Sequence, residues 1–351
     1  MSDKPTTLSK AFVSQAKGFV LRAKISIIIP AVIAAGLLAI VSRIAANRGS
    51  AAELWALLQQ TWVLVLILTI PYLAARALVW RELLAELGIK VPVRHMAISF
   101  AGGEITKSLP AGVYVQNYLL ARLEHFGRFS NVRSSMATTA MLGLETALAL
   151  PIALIFGVPH EPWLFWTLIG VVVAWIVVLF LAWMLVHHWG PDFDAHLPPW
   201  LRRVRVLAED FLAAGGELIT VKTLRSLVPV AIYMMFYVVE LYAIIRAVGI
   251  TSITFTDTMG IYALIILAVV LVPIPTEIGL TEFAGLGALL AYGVERTKAA
   301  VVMLGLRILA TGMTIVVASI VLLVLRRELT APAEGAADPV AQAASGAHGT
   351  S

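Results

Sequence analysis

The stretch Leu271–Gly293, LVPIPTEIGLTEFAGLGALLAYG, sets two prolines and two carboxylates inside sequence otherwise suited to lipid. Pro273 and Pro275 lack backbone donors and disfavour helix in the residues before them, so the chain is expected to break near Ile274. Glu277, Gly279 and Glu282 then open a new helix. Irregular backbone at membrane depth is tolerated only where protein or a water-filled cavity surrounds it, so this break is expected to line an interior site. Ionisable residues at that depth point to function. The alternative is a proline kink between two spans, with its glutamates among the headgroups.

The rest of the chain supplies the membrane context. Of 351 residues, 60% are hydrophobic and 13% charged, with a mean hydropathy of +0.90, well beyond the roughly half-apolar soluble average. The windows Ile25–Ser42, Pro162–Val186, Thr258–Thr276 and Ile308–Leu325 contain no Asp, Glu, Lys or Arg and match the ~20 residues a span needs. Strand-like alternation is absent, so the fold class is an all-α polytopic membrane protein and not a barrel. The net charge of +5 comes from basic residues at span ends, which read as topology signals and not as a nucleic-acid patch. With no cysteine there is no disulfide framework, thiolate nucleophile or Cys-based metal site.

Residues 1–24 carry Lys4, Lys10, Lys17, Arg22 and Lys24, with Leu8, Phe12, Ala16 and Phe19 near helical spacing, and read as a cytoplasmic amphipathic segment. A signal peptide is the rival reading, but no A-x-A site follows the apolar run. The first membrane half, 25–157, holds spans over Ile25–Ser42 and about Trp62–Val79, where Arg76 and Arg81 mark a return to the cytoplasm. His95–Arg122 follows, too polar and too broken by Gly102, Gly103, Glu104, Lys107, Pro110 and Gly112 for a lipid-facing helix. A re-entrant helical hairpin is expected there, its arms of ~15 residues being ~22 Å long against a ~30 Å core. A pair of cytoplasmic amphipathic helices is the alternative. A span over about Val132–Gly157 closes this half, with Glu145 inside it.

The second half, 158–325, starts at a VPHEP loop free of Lys and Arg and spans about Trp163–Val186. The connector His187–Arg225 is basic, hence cytoplasmic, and the apolar stripe Trp200, Leu201, Val204, Leu207, Phe211 and Leu212 suggests a helix on the membrane surface. His187, His188 and His196 lack the carboxylate spacing of a metal site, so neither a metal nor a cofactor is expected. A span over Leu227–Ala247 containing Glu240, the broken stretch 257–296, and a span over Ala299–Leu325 containing Arg307 complete the half. Residues 326–351 read as a disordered cytoplasmic tail.

The series span, span, hairpin, span therefore occurs twice, each hairpin preceded by a similar tag, Leu87-Gly88-Ile89 and Val248-Gly249-Ile250. By charge bias the first hairpin is reached from the cytoplasm and the second from outside. The halves are then of inverted topology with both termini cytoplasmic, an arrangement that places substrate at the midplane between broken helices. The competing count is eight spanning helices with the same ends inside.

Gly103, Glu104 and Lys107, in a Gly-acid-x-x-basic pattern, and Pro273, Pro275, Gly279 and Glu282, in a Pro-x-Pro break followed by Gly and Glu, resemble the two motifs of the lysylphosphatidylglycerol synthase transmembrane-region family of flippase-like proteins. The resemblance covers nearly the whole membrane part. It implies transfer of a decorated phospholipid between leaflets of a bacterial cytoplasmic (inner) membrane. Thr276 and Glu277 stand where the family usually has small glycines. The soluble aminoacyl-transfer domain of full-length synthases is absent from the sequence, so the chain is expected not to make the lipid itself.

On this reading the substrate-binding candidates are Glu104, Lys107, Glu145, Glu240, Glu277, Glu282 and Arg307. A charge at the bilayer centre costs at least ~2.5 kcal/mol, so seven such residues without a role would be a heavy burden. Glu145, Glu240 and Arg307 could equally serve as interhelical glue. The chain is read as a lipid transporter and not an enzyme. The competing classes are a membrane transferase using Glu277 and Glu282 as acid and base or on Mg²⁺, and an accessory subunit that partners lipid-synthesis enzymes.

Overall fold

The computed structural model of the protein describes residues 48–108, 112–126, 128–157, scattered positions between 166 and 184, 199–271 and 280–327. The amphipathic segment 1–24, the span Ile25–Ser42, the loop 158–162, the prolines Pro110, Pro273 and Pro275, Glu277, Gly279 and the tail from 328 lie outside the described residues.

Every element described is helical, as the apolar composition and the missing alternation require. The helices are α1 (Arg48–Glu86), α2 (Val93–Thr106), α3 (Val115–Leu123), α4 (Arg128–Ile152), α5 (Pro199–Glu217), α6 (Val221–Arg225), α7 (Leu227–Ala247), α8 (Phe255–Leu271), α9 (Leu280–Ala291), α10 (Arg296–Leu306) and α11 (Gly312–Val324). A π-helical turn at Ala153–Gly157 extends α4, and another at Arg307–Thr311 joins α10 to α11 into one rod. Among the described residues four continuous stretches are long and apolar enough to cross a membrane: Ala51–Glu86, Ser130–Gly157, Val221–Ala247 and Arg296–Val324.

α1 is longer than the span expected over Trp62–Val79. Its 39 residues run through Pro71 and extend about 58 Å at 1.5 Å per residue, more than the thickness of the bilayer. The reason lies in residues 49–61, where alanine, leucine and glutamine are good helix formers and no proline intervenes.

Two helical hairpins interrupt the long rods. α2 and α3 pack on each other, as do α8 and α9. At 14, 9, 17 and 12 residues, all four arms fall short of a ~30 Å hydrocarbon core. Gly103, expected at a break, sits instead inside α2, which continues to Thr106 before the chain turns. The turn belongs to Gly112. A Cβ there would lie 1.6 Å from the Thr106 carbonyl oxygen, so only glycine lets the second arm start this close to the end of the first. Thr106 Oγ1 ties the turn by donating to the carbonyls of Gly102 and Gly112 at 2.8 and 2.9 Å.

The tags before the hairpins have one local geometry. Gly88 and Gly249 adopt φ of 76° and 79°, and the following amides, of Ile89 and Ile250, donate back to the carbonyls of Leu84 and Ile245. This is the Schellman end that favours glycine. The hairpins also end alike, with positive φ at His125 and Gly293 and bonds from Phe126 to Ala121 and from Val294 to Leu289.

Packing follows the same correspondence. α1 and α7, each the rod before a hairpin, make the most extensive contact among the described helices. α2 packs against α11, and α8 against α4, so the first arm of each hairpin meets the rod that follows the hairpin of the other half. The shared core is apolar and well buried, around Leu57, Trp80, Leu83, Leu241, Ile244 and Val302.

α5 carries the amphipathic pattern expected of the basic connector. It is docked rather than free-lying: Arg133 of α4 donates to Glu217 and, at 2.8 Å, to the Leu87 carbonyl, binding α4 to α5 and to the first tag.

Candidate functional site

The polar interior is built around Arg76, which the charge pattern alone reads as a marker of the cytoplasmic boundary. That reading is corrected by its burial: only 2% of the residue is accessible, inside the α1 rod. Arg76 Nη1 donates to Glu104 Oε1 of α2 at 2.5 Å, and Nε donates to Glu145 Oε1 of α4 at 3.1 Å. The Tyr233 hydroxyl of α7 donates to the same Glu145 oxygen at 2.7 Å. The guanidinium thus ties α1, α2 and α4, and the Tyr233 bond to Glu145 adds α7 of the second half. Arginine suits the role because its planar fork reaches two carboxylates at once and stays charged when buried.

Lys107, at the end of the first hairpin arm, approaches Glu104 from the other side, with Nζ 3.6 Å from Oε2. Both cations lie over the ring of Tyr72, Arg76 at 6.0 Å and Lys107 at 5.9 Å from its centroid. Tyr72 in turn meets Tyr233 edge-on at 5.8 Å and Tyr237 at 5.9 Å, and Tyr237 stacks on Tyr262 at 5.0 Å. An aromatic floor of this kind holds cations in place without adding negative charge.

The second half brings Arg307, whose Nε donates to Glu282 and whose Nη1 lies 3.3 Å from Thr311 Oγ1. Glu282 stands in the first turn of α9, where a carboxylate also suits the positive end of the helix dipole. Arg307 opens the π turn, a distortion that often accompanies functional positions because it re-aims a side chain.

These groups converge on one cleft. Tyr72, Glu104, Lys107, Ser108, Tyr237, Thr281, Arg307, Thr311 and Thr314 line it, with about 410 Å³ of empty space including its open mouth. Two cations, one carboxylate and a set of hydroxyls form a lining able to hold an anionic group with further hydrogen-bonding substituents. Arg76, Lys107 and Arg307 are matched by Glu104, Glu145 and Glu282.

The site residues expected from sequence separate into groups on this geometry. Glu104, Lys107 and Arg307 line the cleft, and Glu282 holds Arg307 beside it. Glu145 is buried behind the cleft as a partner of Arg76 and Tyr233. Glu240 is buried away from the cleft lining and accepts from Thr69 at 3.3 Å. Glu277 lies outside the described residues, as do Pro110, Pro273, Pro275 and Gly279. Arg76, Tyr72, Tyr237, Thr281 and Thr311 were not expected in the site. Arg76 carried a usable signal, a full charge between apolar turns, but placing the end of the span at Val79 moved it to the boundary.

Comparison with family models matches residues 27–318 to the lysylphosphatidylglycerol synthase TM region. The chain belongs to that family. The match takes in both hairpins, three of the four long apolar rods entire and the fourth as far as residue 318, so the described site residues, from Tyr72 to Thr314, all lie within the matched region. No curated protein and no solved structure matches the chain. The four apolar rods make it an integral membrane protein.

Proposed function

We propose that this member of the lysylphosphatidylglycerol synthase transmembrane region moves a decorated phospholipid between the leaflets of its membrane. The observation that carries the reading is the cleft itself, in which Glu104 and Lys107 of the first hairpin and Arg307 of the last apolar rod face a common space. Charge at membrane depth is costly, and a cluster open to a cleft is the form expected where a polar headgroup must pass. Lys107 and Arg307 are the groups to receive its phosphate, and the threonines and Glu104 to receive the donors of its decoration.

The two hairpins support an inverted repeat with re-entrant tips meeting near the midplane. Their arms are too short to span, their preceding tags share one geometry, and their packing on the opposite half is reciprocal. In this scheme the ends near Arg81 and Arg326 are cytoplasmic and the membrane is a bacterial inner membrane.

The test is leaflet-resolved lipid analysis of purified protein in vesicles. Lys107→Gln and Thr281→Val, both at the cleft wall, are expected to reach wild-type abundance and to lose most lipid movement. Transport at the wild-type rate by both variants would remove the cleft from the mechanism.

A further inference from the structure

Beside the polar cleft runs an apolar groove that the charged site does not account for. Among the described residues it lies where α1, α2 and α11 meet, with about 880 Å³ of empty space including its open side. Small side chains make it: Ala74 and Ala77 of α1, Ala97 and Ala101 of α2, and Ala318 of α11 leave room where larger residues would have closed the three-helix junction. Its rim on α1 is Ile70, Ala74 and Leu78, one helical face whose large members are more than half exposed.

The inner end of the groove is Glu104, and Glu104 also forms a wall of the polar cleft. Glu104 is 4% accessible, and its Oε2 has Lys107 Nζ at 3.6 Å but accepts no hydrogen bond from the described residues. A buried acceptor left in that condition is costly, so the junction suits a ligand that brings a donor there. A wholly apolar ligand would leave Oε2 without a hydrogen-bond donor, and a soluble anion would leave the groove empty. An amphiphile fills both spaces.

Resting on the flippase reading, we infer that the groove is an acyl-chain site: a phospholipid sets its headgroup in the cleft and one chain in the groove between α1, α2 and α11. The direction of the groove agrees with this use. Moving away from Glu104, it follows α2 back toward Val93, α1 onward toward Glu86 and α11 onward toward Arg326, the end that the basic residues assign to the cytoplasm. From Ile70 to Leu78 it covers about 12 Å of α1. The chain therefore trails in the cytoplasmic leaflet while the headgroup sits at the cleft, and the open side between α1 and α11 is the lateral gate.

The experiment uses full-length protein in vesicles with phosphatidylglycerol carrying a diazirine in one acyl chain. Photolysis is expected to place adducts on the groove floor, at Ala77, Phe100 and Ala318. Ala74→Leu, on the exposed rim where a larger side chain does not strain the core, is expected to lower the floor adducts about tenfold, the order set by overfilling an apolar site, and to leave adducts at outward Leu323 and Val324 unchanged. Ala97→Leu should act in the same way from α2. Adducts confined to Leu323, Val324 and other outward positions, or floor adducts that neither variant lowers, would overturn the groove. Lipid movement without floor adducts would overturn the groove and keep the flippase reading. Floor adducts in vesicles that move no lipid would keep the groove and overturn the flippase reading.

Discussion

Arg76 is the residue on which the interior charge depends. Removing it leaves Glu145 with the Tyr233 hydroxyl and Glu104 with Lys107 at 3.6 Å, whereas neutralising Glu104 and Glu145 as well removes the two buried carboxylates. Breaking a buried pair costs about 3–5 kcal/mol, while replacing the whole set by neutral groups is often close to neutral. Arg76→Ala is therefore expected to lose roughly that much stability in reversible unfolding by denaturing detergent, and the triple variant Arg76→Met, Glu104→Gln, Glu145→Gln to recover most of it. A loss under about 1 kcal/mol in the single variant would mean that water reaches the cluster. Arg307 and Glu282 form a second, more accessible pair. Their double-mutant cycle should show a coupling of about 0.5–3 kcal/mol, with Arg307→Ala costing less once Glu282 is also alanine; strictly additive losses would contradict the contact.

At the level of elements, the hairpins are held by close backbone approach. In the second hairpin Gly260 of α8 lies against the π turn that ends α4: a Cβ would fall 2.8 Å from the Phe156 carbonyl carbon and 2.9 Å from the Gly157 nitrogen. Backbone cannot step aside as a flexible side chain can. Gly260→Ala is expected to cost about 1–3 kcal/mol and to push α8 off α4. Gly143, in the same α4 rod, has nothing within 4 Å of where its Cβ would be, so Gly143→Ala should be neutral or stabilise by up to about 1 kcal/mol. Thermal aggregation midpoints of the two variants, measured side by side, should move in opposite directions or leave Gly143→Ala unchanged. A drop of equal size in both would show that helix propensity and not the contact is being read.

For the whole molecule, the reciprocal contacts of α2 with α11 and α8 with α4 make each half the support of the other half's hairpin. In the inverted scheme the starts of α4 and α8 face opposite sides of the membrane. The chain has no cysteine, so single cysteines at Ser130 and Thr256 should react with impermeant maleimide from the cytoplasmic and external sides respectively. Reaction of both from one side would exclude the scheme.

Much of the fold was legible in the sequence because its signals are local. Apolar windows, the proline and glycine breaks, the paired tags and the basic span ends depend on neighbours within a turn or two, and they identify a helical membrane protein with two interrupted stretches. Glu104, Lys107, Glu282 and Arg307 stood out in the same way, as charges in places where lipid makes charge expensive. Which of these charges meet was decided by tertiary structure alone. Arg76 finds Glu104 and Glu145 across 28 and 69 residues of sequence, and Glu240 turns to Thr69 across 171. The same limit hid the groove, whose alanines look like ordinary helix formers until three helices bring them to one junction. Pairing and empty space are properties of packed neighbours, and linear spacing carries no record of which rods will pack.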